Sequence, residues 1–351
     1  MTIWIWVAFV ALILLLLALD LGVLNRHDHV ISTREALGWT GFWVALALLF
    51  IVPVYFIYEN HWWGVGTSPG YEPAGWKAMI HYFEGWLVEK SLSLDNIFVI
   101  AMIFRFFGVP LQFQHRTLFW GIIGALVLRG AMIGAGVVLI RQFSWTIYIF
   151  GGFLILTAIK MMVAPDVDPD LENNRLVKLV RRMYPVSPTL EGHKFFTHID
   201  GRRAITPLFL VLLLVESSDV VFAVDSIPAI FGITQDPFIV FTSNIFAILG
   251  LRSLYFVLAQ LLHRFQYLQA SLVVILAYVG AKMILSHHIE IREWISLTVI
   301  GGALFVGIVA SVIKARYGSS EEEEGEGGEG DSAAGEDPGA GGEDQTPREE
   351  K

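Results

Sequence analysis

The chain has 351 residues, is 55% hydrophobic, carries a formal charge of −9 at neutral pH and contains no cysteine. Its mean hydropathy of +0.60 and recurring apolar stretches of about 20 residues mark an all-α polytopic membrane protein, and stretches this long exclude barrel strands. Without cysteine, disulfides, thiolate metal sites and thiol redox chemistry in the polypeptide are excluded.

Nine spans are expected in chain order, at about 3–24, 39–59, 78–104, 118–140, 145–163, 205–230, 237–259, 268–286 and 294–313. The first lacks a basic leading region and a small-residue cleavage site, so it reads as a retained helix. The chain divides into two N-terminal helices (1–77), a three-helix unit (78–163), a basic loop (164–204), a second three-helix unit (205–286), a last helix (287–317) and an acidic tail (318–351). Loops on one side hold 14 Lys and Arg and those on the other hold three, which puts the N-terminus outside and the C-terminus in the cytoplasm. The expected location is a bacterial plasma membrane. The basic loop reads as a solvated linker, or as a segment that binds anionic lipid, with a short amphipathic helix around Leu171–Met183. The tail has 13 acids and two bases, cannot bury a core and is expected to be disordered.

Two apolar segments carry carboxylates where hydrocarbon is expected: Glu89-Lys90-Ser-Leu-Ser-Leu-Asp95-Asn96, and Glu216-Ser-Ser-Asp219 through Asp225-Ser226-Ile-Pro228. Each charge near a bilayer centre costs roughly 2.5–3.5 kcal/mol on insertion scales. Five acids therefore point to a bound cation. With no cysteine and no histidine clearly in the middle of a span, the donors suit a hard divalent ion such as Mg, Ca or Mn. The alternative is burial as ion pairs with Lys90, Arg129 and Arg252, although five acids against three bases leave a surplus of negative charge.

Three landmarks recur in order. Leu94-Asp95-Asn96-Ile97 aligns with Val224-Asp225-Ser226-Ile227, Leu128-Arg129-Gly130 with Leu251-Arg252-Ser253, and Ile159-Lys160-Met161 with Ala281-Lys282-Met283. With the topology above, spans 3–5 and 6–8 form a 3+3 inverted repeat, the architecture of many secondary transporters. On an ideal helix Glu216 and Asp219 share a face, about 60° apart, whereas Asp225 lies about 180° from Glu216. An unbroken helix therefore cannot gather every acid, and Pro228, which removes a hydrogen bond to the Val224 carbonyl, is the expected place for a break or kink. Lys160 and Lys282 are expected to reach toward helix ends. Asn96, Ser226 and Asn244 are possible neutral ligands, and Asp20 is either a helix-end residue or a site member.

These motifs resemble the TerC family of integral membrane proteins, and within it the bacterial Alx-type members. The likeness lies in the Glu89–Val99 and Glu216–Ile230 runs and in Asp236-Pro-Phe-Ile-Val-Phe-Thr-Ser-Asn244 through Leu251-Arg252-Ser-Leu-Tyr255. Leu19-Asp20-Leu-Gly22 and Glu35-Ala-Leu-Gly-Trp39 match more weakly, and the likeness extends over about residues 15–315. It implies manganese(II) efflux, with Glu89, Asp95, Glu216, Asp219 and Asp225 as the metal-binding acids and no permanently bound cofactor. A family link to metalation of exported proteins implies a second reading, a membrane scaffold with secretion-machinery or homo-oligomer contacts. No nucleic-acid partner is expected, and no nucleophile constellation suggests an enzyme. An oxyanion carrier such as one for tellurite would need Arg129 and Arg252 free, and the surplus of acids opposes it.

Overall fold

The computed structural model describes residues 3–22, 33–67, 73–163, 175–192, 194–199, 201–258, 267–285 and 292–326. Helices dominate because in lipid the backbone must satisfy its own hydrogen bonds. They are α1 (Ile3–Gly22), α2 (Thr33–Leu49), α3 (Ile51–Glu59), α4 (Gly75–Phe106), α5 (Leu111–Gln142), α6 (Thr146–Val163), α7 (Arg175–Met183), α8 (Pro207–Phe231), α9 (Pro237–Ile248), α10 (Leu251–Leu258), α11 (Leu268–Leu285) and α12 (Glu293–Glu326). Among the described residues, six stretches are helical and apolar enough, over sufficient length, to cross a membrane: Arg34–Glu59, Leu111–Gln142, Thr146–Val163, Pro207–Phe231, Pro237–Val257 and Glu293–Lys314. Ile3–Leu19 and Gln269–Leu285 are shorter apolar helices. Helix α4 is 32 residues long and carries Glu84, Glu89, Lys90 and Asp95 along its middle. Its length of about 48 Å exceeds the roughly 30 Å hydrocarbon core.

The centre of the bundle is α9, whose residues Phe238–Val240 and Thr242–Ile248 are buried. It packs on α4, while α5 packs on α8, α4 on α8 and α6 on α11. The α6–α11 contact is close because both helices present glycine there. A Cβ on Gly151 would lie 2.9 Å from the Gly280 carbonyl oxygen, and one on Gly280 would lie 2.8 Å from that of Gly151. Small residues at a crossing let backbones touch, the usual basis of helix association in lipid.

The break falls at a different place from Pro228. Helix α8 runs through Pro228 to Phe231, and its end closes with Gly232 N–H donating to the Pro228 carbonyl at 3.0 Å. Pro228 lies in the last turn, so its missing donor interrupts little of the ladder. The chain instead breaks between α9 and α10 at Gly250, whose φ is +80°. That backbone region favours glycine, and a Cβ at Gly250 would lie 2.6 Å from Trp43 Cβ on α2.

The basic loop is more than a linker. Of its expected helix, Arg175–Met183 is present, and residues 171–174 lie outside the described residues. Strands β1 (Phe196–Ile199) and β2 (Arg202–Ile205) form an antiparallel hairpin. Val177 and Ile205 are buried against Phe104 and Leu208, and Arg116 lies over the Phe195 ring at 5.4 Å. The hairpin was not expected because its strands are only four residues long. The tail also begins differently from expectation, since α12 continues to Glu326, and residues 327–351 lie outside the described residues. Glutamate is a good helix former, which favours extension of a helix already nucleated.

At the end opposite the hairpin, Trp62, Trp63, Trp76, Trp145 and Trp294 are exposed, a pattern that suits a membrane–water boundary. There Asp236 caps α9, accepting from Phe238 N–H at 2.9 Å and Ile239 N–H at 3.2 Å, and Tyr58 donates to it at 2.6 Å. Burial pushes the Asp236 carboxyl up from its ordinary range, against the pull of these donors.

Candidate functional site

Helix α5 places one arginine in the interior. Arg129 is 1% exposed and Glu89 on α4 is fully buried. The Arg129 Nε and Nη2 groups grip Asp219 of α8 as a fork, at 3.1 and 2.8 Å. Its Nη1 donates to Glu89 Oε1, to Asn244 Oδ1 on α9 at 3.2 Å and to Ser226 Oγ on α8 at 3.4 Å. Asn244 Nδ2 closes the ring by donating to Glu89 Oε2 at 3.1 Å. Asp219 and Ser226 both reach Arg129 because seven residues bring a helix back to within about 20° of the same face. Paired, charge-assisted donors are the strong hydrogen bonds of a low-dielectric interior.

Glu216 lies one turn before Asp219. Its Oε2 is buried and has no hydrogen-bond partner. Its Oε1 presses on α5 where only glycine fits, since a Cβ on Gly124 would lie 1.9 Å away. Beside Asp219 is a cavity of about 30 Å³, lined by Asn96, Ser218, Arg252 and Tyr255 among others. It has room for a water molecule or two. Asn96 Oδ1 is buried without a partner.

The remaining expected residues are dispersed. Asp225 is turned toward α6, where Thr157 donates to it at 3.1 Å. Lys90 donates to the Ala247 carbonyl at 3.2 Å. That carbonyl lies in the last turn of α9, where the break leaves acceptors without helical donors, and a cation suits the negative end of a helix. The side chains of Asp95 and Asp20 lie outside the described residues. The structure thus joins Glu89 and Asp219 through Arg129, sets Glu216 close by and holds Asp225 apart. Among the described residues, no three acids or histidines stand close enough to hold one metal ion.

A second polar cluster went unrecognised in the sequence. Glu84 on α4 is fully buried with both oxygens unpartnered, near Lys282 of α11 and Glu293 of α12. Lys282, expected to reach toward a helix end, donates from the last turn of α11 to Ser296 in the first turn of α12 at 2.8 Å. Glu84 lies five residues before Glu89 on the same helix, and its charge carries the same insertion cost.

The family model for integral membrane protein TerC matches residues 74–319. The chain is 48% identical to an uncharacterized membrane protein of Myxococcus xanthus, STKORF319, over 90% of this chain and 94% of that one. It is 43% identical to a protein of Salmonella typhi named putative membrane-bound redox modulator Alx, over 87% of this chain and 92% of the relative. An uncharacterized membrane protein of Rickettsia bellii is 43% identical over 88% and 97% of the two chains. No solved structure matches. The chain is a multi-pass helical protein that belongs to the TerC family of integral membrane proteins.

Proposed function

We propose that the protein exports a divalent cation, Mn²⁺ foremost, across a bacterial inner membrane through a path between two inverted three-helix halves, in exchange for protons. The observation that carries this reading is the buried acid cluster where α4, α5 and α8 meet. Glu89 and Asp219 share the Arg129 guanidinium, and Glu216 stands one turn before Asp219 on α8. Glu216 keeps a buried oxygen without a partner. Such a group is costly unless something cationic reaches it. Nine spans, with the N-terminus outside, accommodate this path. The reciprocal packing of α4 on α9 and α5 on α8, with α6 on α11, supports the inverted repeat.

Arg129 acts in this reading as a tethered cation. It neutralises Glu89 and Asp219, and a divalent ion competes with it for them, drawing on Glu216 and the adjoining Asn96. Asp95, Asp225, Ser226 and Asn244 complete the donor set along the path. Carboxylate and amide oxygens suit Mn²⁺, Mg²⁺ and Ca²⁺. The grip of Arg129 on two acids opposes an oxyanion cargo, which makes any tellurite phenotype indirect.

The test is Mn²⁺ flux into dye-loaded proteoliposomes for the wild type and for Glu216→Gln, Asp95→Asn and Asp225→Asn. Flux in the wild type that falls at least tenfold in the folded variants supports the reading. No flux in a folded wild type overturns it. The hairpin and α7 packed on the basic end favour a second reading, a scaffold for insertion or metalation of exported proteins. Co-purification with secretion machinery that survives Glu216→Gln but is lost on deleting residues 175–205 would support it. The redox role in the name of the Alx relatives has no thiol here to act through.

A further inference from the structure

Helix α4 carries a second line of ionisable groups leading inward from the tryptophan-lined end. Lys77, His81 and Glu84 are spaced four and three residues apart, so they share one face over about 10 Å. Exposure falls along the line. The Lys77 side chain is 39% exposed and pairs with Glu293 at 2.7 Å, the Glu293 side chain is 19% exposed, and that of His81 is 6% exposed. Glu84 is at 0%. His81 Nε2 lies 3.9 Å from Glu293 Oε1, just beyond hydrogen-bond distance, and His81 Nδ1 is buried without a partner.

The charged and titratable groups facing Glu84 from other helices are Lys282 and Tyr278 on α11 and Glu293 on α12, and His81 lies three residues before it on α4. Lys282 Nζ donates to Ser296 Oγ at 2.8 Å, and Tyr278 shares that hydroxyl at 2.9 Å. The lysine opposes a divalent cation, and no third acid or histidine joins Glu84 within ligand reach among the described residues. A carboxylate sealed from water without a donor is costly when ionised. The cluster therefore fits the smallest cation.

We propose that Glu84, reached from the surface through Glu293 and His81, is the carboxylate that binds and releases the proton exchanged for the exported ion. The exchange partner rests on the transport reading above; proton binding at Glu84 does not. On uptake, an O–H bond forms on the Glu84 carboxyl group with a proton from hydronium at the open end, which leaves as water. On release that bond breaks and the proton returns to water. Ionised Glu84 attracts Lys282 away from Ser296, and neutral Glu84 lets it return, so the α11–α12 contact follows the proton. Glu89 lies about 7.5 Å further along α4, which links the two sites through one rigid helix.

Two measurements on the full-length purified protein test this. In the first, infrared difference spectra are recorded as external pH is lowered. A carboxylic-acid C=O band is expected in the wild type, absent in Glu84→Gln and retained in Glu84→Asp, with helical content unchanged in all three. An identical band in Glu84→Gln overturns the proposal. In the second, proteoliposomes with a pH dye inside and an imposed Mn²⁺ gradient report proton movement. Proton movement coupled to Mn²⁺ is expected in the wild type and at least tenfold less in Glu84→Gln. Equal proton movement in both, or Mn²⁺ flux without protons in the wild type, overturns the exchange. A wild type that moves no Mn²⁺ sinks the exporter reading alone, and the infrared result still decides whether Glu84 binds a proton.

Discussion

Replacing Arg129 with methionine tests the central network most directly. Methionine keeps an unbranched side chain but removes every donor that Arg129 supplies to Asp219, Glu89, Asn244 and Ser226. Both acids then stay in the bundle without their cation. Breaking a buried ion pair by removing one partner costs about 3–5 kcal/mol, chiefly through the uncompensated charge left behind. The upper part of that range is expected, because Glu89 is fully buried and two acids lose their cation together. The cause is separable from lost packing. If uncompensated charge dominates, Glu89→Gln in the methionine background restores stability, with a coupling of roughly 1–3 kcal/mol in a double-mutant cycle. The assay is reversible denaturation in detergent micelles, followed by the far-ultraviolet helical signal. An Arg129→Met protein as stable as the wild type, or costs that simply add in the double variant, would refute the reasoning.

Two further predictions rest on glycines. Gly124→Ala pushes a methyl group into Glu216 Oε1, so Mn²⁺ flux is expected to fall at least tenfold, while Gly134→Ala on the same helix meets nothing within 4 Å and leaves flux intact; equal flux in both would contradict the role given to Glu216. Gly250→Ala forces a side chain onto a left-handed backbone and into Trp43. It is expected to destabilise the protein by about 1–2 kcal/mol for the backbone alone, read as a lower denaturation midpoint, and an unchanged midpoint would contradict the strain.

The sequence by itself determined the helical, multi-pass character of the chain and the residues that cannot sit in lipid without a reason. The first follows because a backbone in hydrocarbon must bond to itself, so apolar stretches of sufficient length have one outcome. The second follows because the cost of a buried charge is a property of the residue and its depth. Partners were another matter. Glu89 and Asp219 meet the same arginine although they come from helices more than a hundred residues apart, and no periodicity along one helix reports which neighbour arrives. Asp225 faces Thr157 because one residue of rotation along α8 turns it about 100° from Ser226. The break at Gly250 rather than Pro228 depends on Trp43, contributed by α2, where a side chain on residue 250 would have to go. The Glu84 cluster depends on α11 and α12 arriving at the same face of α4. In each case the deciding contact is long-range, and only the packed bundle supplies it.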